Sequence, residues 1–539
     1  MNFIKDKKFE IIVILFLLIY FSLSLCFLPI HYAVNDDIAI IEDIKNNVNT
    51  SFMSPILGYF LSFLYYLNSD IAWYGWFLYF IHFLSLYIII ISFLKNKFRQ
   101  VYIFLSLYLL FYLDFIIRVS YNNASIMFGI SVFIYVLMNI KDLSNRKIIL
   151  IGLLFTISYL IRQESIYFVV CFSLPAFYFV KEHYKKLFYF IFPIIMIISA
   201  HRITDNFAFS KEQKEFNEFN RIRGEFHEYK ISMLNLNNQH IFDSNNWTSN
   251  DYLLLCTWFF IDEYKYNIET LTNIFIYSVP VLPDGNYIKK VIDTFELNIK
   301  YLFLSFILIL FYSTINIKKS LLLLLYFFYS ILGIIALIIF FRFPERIAIP
   351  VFMIIFLVLF YSITLFGIKE RNINKIILIL LLVPVISYRI YELSKLIPIY
   401  SSLIKQYNNN YINKLNKDYA NSILILPIRP DIAMPMEFIN PLKNNQNKFH
   451  IIPSGWQTYS PSFYNSLKKY FNVNKAYNIF PLMVSKNTYL LIPDKWAQFI
   501  SIYLKETFQG KYIIKKTDDI IPVFKEYGSI GIYTVINDK

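Results

Sequence analysis

The chain alternates long apolar blocks with short charged connections. Apolar runs lie near 10–28, 72–93, 100–117, 123–140, 148–161, 166–180, 187–201, 300–316, 320–341, 347–366 and 374–389. A helix needs about 17–25 such residues to cross ~30 Å of hydrocarbon, where every backbone polar group must be satisfied within the segment. The pattern predicts a polytopic α-helical membrane protein with about eleven transmembrane helices. The run "PILGYFLSFLYYL" at 55–67 is too short to span and predicts an interfacial or re-entrant helix.

Past residue 390 the period changes. "SILILPI" and "YLLIP" have strand length, and "DKWAQFISIYLKETF" places Trp496, Phe499, Ile500, Tyr503 and Leu504 at helical spacing. "KYIIKK", "IIPVF" and "GIYTV" are further strand candidates. The division predicted is a membrane part over 1–389 and a compact α/β domain over 390–539. The long segment 202–299 pairs the charged run "KEQKEFNEFNRIRGEFHEY" with an amphipathic helical stretch, "NDYLLLCTWFFIDEYKYNIETLTNIF". No internal repeat is visible.

Composition supports this division. The 539 residues are 57% hydrophobic and only 16% charged, where a soluble chain carries about a quarter. A net charge of +14 invites a nucleic-acid partner, but the Lys and Arg residues cluster in short loops, the signature of membrane orientation. In the loops assigned to one side stand seventeen basic residues, among them Lys95, Lys141, Lys186 and Lys319. The short loops of the other side hold five: Lys45, Arg118, Arg162, Arg342 and Arg346. The rule puts the N-terminus in the cytoplasm and the segments 29–71, 202–299 and 390–539 outside. The first run has no small-residue cleavage site and reads as an uncleaved helix. Cys26, Cys171 and Cys256 show no metal or disulfide spacing. The excess of Lys, Asn, Ile, Tyr and Phe fits an AT-rich bacterial genome, hence a bacterial cytoplasmic (inner) membrane.

Ionisable residues at the ends of spans are costly and are functional candidates by default. Here they share the outer side: Asp36 and Asp37 after the first span, Asp114 and Arg118, Arg162 and Glu164 in "YLIRQES", and Arg342, Glu345 and Arg346 in "FRFPERIAIP". The set suits inverting glycosyl transfer from a polyprenyl-phosphate sugar. One carboxylate takes the acceptor's proton. Arginines stabilise the departing phosphate with their bidentate fork, and an interfacial helix lets the lipid tail stay in the bilayer.

"NDD" (Asn35, Asp36, Asp37), the following "SPILGYFLSFLYYLNSDIAWYGW", the turns "IRQES" and "FPERIAIP", and "WTSNDYLLLCTWFFIDEYKYNIETL" resemble the GT-C superfamily of integral-membrane glycosyltransferases, in particular a poorly characterised bacterial group. The likeness spreads over residues 1–370, and "PSGWQTYSPSFYNSL" is similar to the same group. The resemblance implies a lipid-linked sugar donor, an acceptor that is a cell-envelope glycan, lipid or protein, and a base in the first outer loop, which maps onto Asp36 or Asp37. The chain departs from the superfamily in lacking the Asp-Glu pair of protein mannosyltransferases. "WFFID" matches the Trp-Trp-Asp motif of oligosaccharyltransferases only superficially.

Each residue also has a plainer reading. Asp36 suits an N-cap of a helix over 37–47, with Asn35 the best capping partner, and Glu42 and Asp43 read as solvated helix residues. Arg162 and Glu164 suit a structural ion pair. Asp114, a candidate second acid together with Glu164, suits a pair with Arg118 four residues on. Two arginines against Glu345 leave a spare cation, so Arg346, then Arg342, are the preferred phosphate ligands. His82 reads as a buried, hydrogen-bonded histidine, and His201 with Arg202 as the outer end of a span. Trp456 suits either sugar stacking or a core position. A divalent metal is compatible with this chemistry and not required by it. The competing functions are a polysaccharide polymerase or ligase, a lipid flippase or transporter, and a surface-assembly scaffold. Transporters place their charges at the midplane on broken helices in repeated halves, unlike this chain.

Overall fold

The structure, a computed structural model, describes residues 2–33, 35–94, 100–227, 239–277, 286–313, 316–341, 343–366, 375–406, 412–426, 448–474, 478–484, 487–524 and 528–538. The apolar blocks become helices. The first half holds α1 (Asn2–Phe27), α2 (Asn35–Lys45), α3 (Pro55–Leu67), α4 (Trp73–Leu94), α5 (Gln100–Ile117), α6 (Tyr121–Asn139), α7 (Asn145–Ile161), α8 (Ser165–Ser173) and α9 (Tyr184–Ala208). A connector follows with α10 (Lys211–His227), α11 (Gln239–Ser244), α12 (Ser249–Cys256) and α13 (Ile268–Tyr277). The bundle resumes with α14 (Asn286–Leu297), α15 (Ile299–Ser313), α16 (Ile317–Phe340), α17 (Glu345–Phe366) and α18 (Lys375–Gln406).

Six described stretches are long and apolar enough to cross a membrane: Lys8–Phe27, Trp73–Leu94, Tyr121–Asn139, Ser165–Thr204, Ile317–Phe340 and Glu345–Phe366. A pair bent by 71°, Ile288–Leu297 with Ile299–Ser313, makes a seventh if counted as one span. This architecture is compatible with a multi-pass helical membrane protein. The two runs expected at 166–180 and 187–201 form one stretch, α8 and α9 joined through a 3-10 segment, Leu174–His183. The last expected span does not stop at 389; α18 continues to Gln406.

α6 and α17 are apolar on all sides and buried along nearly their whole length, which places them at the bundle's centre. Small residues bring α6 and α7 close: Ser125 Oγ donates to the Ser158 carbonyl at 2.6 Å, and Ser158 Oγ donates to the Ser125 carbonyl at 2.7 Å. At one end of the bundle, lysines satisfy orphan carbonyls at helix C-termini. Lys186 Nζ donates to Ile140 and Lys141, and Lys319 Nζ to Phe366. The opposite end carries α2 and α3. α3 buries Leu57, Gly58, Leu61 and Tyr65 and exposes Ile56, Tyr59, Phe60, Phe63 and Tyr66.

Two short parallel strands, β1 (His31–Tyr32) and β2 (Arg118–Val119), tie that end together. Sequence periodicity gives no sign of them, because two residues are too few to show alternation. The C-terminal part contains α19 (Asn413–Asp418), β3 (Ile423–Leu426), β4 (His450–Pro453), α20 (Pro461–Phe471), α21 (Phe480–Val484), β5 (Thr488–Pro493), α22 (Asp494–Phe508), β6 (Tyr512–Phe524) and β7 (Gly528–Asn537). The strands form a mixed sheet in the order β4-β3-β5-β7-β6, with β7 antiparallel to both neighbours. "KYIIKK" and "IIPVF", expected as two strands, are one strand, β6, with a register shift between Lys516 and Asp518.

Strand side chains alternate between two cores. Leu424, Leu426, Leu491 and Ile532 join the apolar cluster of the bundle. Ile423, Ile425, Leu490, Ile492, Tyr533 and Val535 join a second cluster with α20, α22 and the connector residues Phe219, Trp247, Phe260 and Leu271. The connector and the sheet therefore share one core. The amphipathic stretch forms two helices, α12 and α13, and the chain turns between them at Trp258, which has a positive φ of 62°.

Gly152 in α7 decides the contact with α9. A Cβ there would meet the Phe190 carbonyl oxygen at 2.5 Å and the Pro193 ring at 2.6 Å. Gly152→Val should therefore push the two helices apart and cost about 1–3 kcal/mol or more, as overpacking does. A lowered midpoint of thermal unfolding in detergent checks it, with Gly152→Ala giving a smaller drop.

Candidate functional site

α2 begins at Asn35, so Asp36 and Asp37 lie in its first turn rather than before it. Two carboxylates suit that position by the helix dipole. Their side chains reach other helices, which corrects the expectation of a helix over 37–47 capped by Asp36. Asp36 Oδ2 pairs with Arg346 Nη1 at 2.7 Å, a contact between residues 310 positions apart. The Tyr121 hydroxyl lies 3.5 Å from the same oxygen. The pair is partly open, with side-chain exposures of 10% for Asp36 and 21% for Arg346.

Asp37 is fully buried. Its Oδ1 accepts from the Tyr74 hydroxyl at 2.7 Å and from the Tyr121 backbone N–H at 3.1 Å. The second bond satisfies one of the orphan donors at the start of α6, where Ser120 caps by accepting from the Asn123 N–H. Asp37 Oδ2 is buried without a hydrogen-bond partner among the described residues. Burial pushes the Asp37 carboxyl up to about 8, against the lowering effect of the two hydrogen bonds, and the neighbouring Asp36 carboxylate adds to the rise.

Arg162 follows the last residue of α7. Its Nε pairs with Glu164 Oε2 at 2.7 Å, and its guanidinium lies over the rings of Tyr121, at 5.4 Å, and Phe52, at 5.8 Å. Trp456 meets Phe52 edge-on at 4.9 Å, so it braces the aromatic wall of this site. The structure thus brings together Asp36, Asp37, Arg162, Glu164 and Arg346. Arg342 lies outside the described residues.

Asp114 has different company. Arg389 Nη2 reaches its Oδ1 at 2.5 Å, Lys300 Nζ lies 3.2 Å from its Oδ2, and the Tyr301 hydroxyl donates to Oδ2. Glu392 completes the cluster by pairing with Lys300 at 2.6 Å and Arg389 at 2.6 Å. The expected Asp114–Arg118 pair does not form. α5 ends at Ile117, so Arg118 leaves the helical path and pairs instead with Glu345 at 2.7 Å. Asp43, expected in solvent, is buried and accepts a bond from Ser462 at 2.6 Å. His82 is buried against the Tyr112 hydroxyl at 2.9 Å. His201 and Arg202 lie near the end of the apolar stretch that closes at Thr204, as expected, while α9 itself runs on to Ala208.

The residues that sequence reasoning missed are Tyr74 and Tyr121 at Asp37, and Arg389, Lys300 and Glu392 at Asp114. Two tyrosines among 44 carry no signal. Arg389 did carry one, an ionisable residue at the edge of an apolar run. Among the described residues, no group of three or more His, Cys, Asp or Glu is arranged to hold a metal ion. Comparison with models of known families, with curated proteins and with solved structures finds no match for this chain.

Two outcomes follow from this geometry. Asp37 is neutral in the fold up to about pH 8, whereas its unfolded counterpart ionises near 4. Its contribution is complete below pH 4 and is lost as the pH rises toward 8, because only the unfolded state releases the proton over that window. Asp37→Asn should flatten that fall, measured as thermal midpoints between pH 4 and 8. Asp114→Ala should remove one of the two carboxylates that neutralise the buried Arg389 and cost about 3–5 kcal/mol. Denaturant unfolding of the purified variant checks this value.

Proposed function

We propose that this chain is a GT-C-like glycosyltransferase of the bacterial cytoplasmic membrane, with about eleven crossings and a cytoplasmic N-terminus. On this reading α2, the connector and the C-terminal α/β domain face outward. There the enzyme moves a sugar from a polyprenyl-phosphate donor to a cell-envelope glycan, lipid or protein. The observation that carries the proposal is the partly open Asp36–Arg346 ion pair with Arg162 on the same aromatic wall. A base and two cations at one end of an apolar bundle are what transfer from a lipid phosphate needs.

Asp36, the ion-paired carboxylate, is the base. The donor's phosphate competes with it for Arg346, whose planar fork matches a phosphate as well as a carboxylate. Asp36, once released, accepts the proton of the acceptor hydroxyl. The acceptor oxygen bonds to the anomeric carbon from the face opposite the phosphate. The carbon–oxygen bond to phosphate breaks, and its electron pair leaves with the polyprenyl phosphate, where Arg346 and Arg162 stabilise the charge. Arg342 is a candidate third cation, and Glu164 orients Arg162. Asp37, protonated and buried, is a positioning residue that fixes α2 to α4 and α6. The exposed apolar face of α3 offers the polyprenyl tail a surface beside the site.

The test is transfer of labelled sugar from a panel of undecaprenyl-phosphate hexoses and pentoses by the full chain in proteoliposomes. Asp36→Asn should lower the rate by about 10²–10⁴-fold, the usual contribution of a general base. Arg346→Lys should weaken donor binding and the rate together, whereas Asp37→Asn should keep most of the transfer at neutral pH. Full transfer by Asp36→Asn overturns the assignment.

A further inference from the structure

A cavity of about 490 Å³ lies between α2 and the C-terminal sheet, a size typical of small-ligand sites, which run from about 300 to 1,000 Å³. One wall is a single face of α2 and the residue after it, Glu42, Lys45 and Asn46, spaced i, i+3 and i+4. The opposite side of α2, with Ile40 and Ile44, is in the bundle core. The other wall is the polar face of α20, with Asn465, Ser466 and Lys469. Phe463, Leu467 and Phe471 turn the other side of α20 into the second core. Two amphipathic helices thus present polar faces to each other across open space, and the buried Asp43–Ser462 bond pins them together beside it.

One part of the lining is flat and aromatic. The rings of His450 and Tyr470 stack at 4.7 Å with 26° between their planes, and Lys469 Nζ lies 5.1 Å from the Tyr470 centroid. An aromatic platform flanked by a carboxylate, amides, a hydroxyl and ammonium groups matches the two sides of a saccharide. The apolar C–H face of a sugar ring rests on aromatic carbon, and its hydroxyls both donate and accept. Glu42 stands six residues after Asp36 on the same helix, about 9 Å along its axis.

We infer that this cleft between α2 and α20 binds a saccharide, the non-reacting part of the acceptor, through stacking on Tyr470, hydrogen bonds with the Asn465 amide and sugar hydroxyls donating to the Glu42 carboxylate. The role as acceptor subsite rests on the transferase reading, whereas the binding of sugar does not. Remote binding of this kind holds the reacting hydroxyl near the base.

The experiment is saturation-transfer NMR and calorimetric titration of the full chain in nanodiscs. The probes are tetrasaccharides of hexose, N-acetylhexosamine and uronate. At least one class should bind, with affinity lowered about tenfold by Tyr470→Ala and also by Asn465→Ala, as expected for the loss of one stacking or hydrogen-bonding contact. Asn465 is exposed, so its variant keeps the fold intact if Tyr470→Ala does not. Asp36→Asn should bind the same sugar unchanged while losing transfer, which separates the two readings. Binding by no probe, or binding indifferent to both cleft variants, overturns the inference.

Discussion

A charge at the end of an apolar helix bundle must find a partner, and the partners here come from helices far apart in the chain. Asp36 in α2 meets Arg346 in α17, Arg118 meets Glu345, and Asp114 in α5 meets Arg389 in α18 and Lys300 in α15. An unpaired ion at such a site carries a desolvation penalty of several kcal/mol. These contacts therefore specify which helix ends lie together. Asp37 adds a joint without an ion pair, holding the starts of α4 and α6 to α2 through Tyr74 and Tyr121.

The acidic groups differ in how completely they are satisfied, and that difference separates scaffold from site. Asp114 has Arg389, Lys300 and Tyr301 on its two oxygens, and Glu392 takes the remaining charge of both cations. A closed network of this kind holds helices in place. The Asp36–Arg346 pair is partly open, and Asp37 keeps one buried oxygen without a partner among the described residues. Asp37, held in place with one oxygen unsatisfied among the described residues, is the acid here that does not sit in a closed network. Candidate chemistry therefore gathers at α2 and not at Asp114.

The sheet is positioned by the same economy of surface. Its two faces alternate residue by residue along β5, with Leu490 and Ile492 toward the connector and Leu491 toward the bundle. Neither α10–α13 nor the strands bury their apolar residues alone. Their shared core sets α20 opposite α2, and Trp456 reaches Phe52 at the charged end of the bundle. On the proposed reading, recognition and chemistry share one helix, α2, with Asp36 at its start and Glu42 and Lys45 at its far end.

Helix positions were legible in the sequence because apolar run length and helical spacing are local properties. α3 at Pro55–Leu67 matches a stretch read from apolar run length, and α22 at Asp494–Phe508 one read from helical spacing. Asp36, Asp37, Arg162 and Arg346 could be marked as unusual for the same reason, since a charge at the edge of an apolar block is visible without a fold. Their pairing was not legible. Arg118 is four residues from Asp114, yet the helix ends between them and each finds a distant partner. Asp43 looked like a surface acid until α20 was laid against it. Tyr74 and Tyr121 had no mark at all among so many tyrosines. Sequence by itself determined the apolar blocks, the change of period near the C-terminal part and the set of costly charges. Tertiary structure alone decided which charges neutralise one another, because that depends on distances between helix ends separated by hundreds of residues.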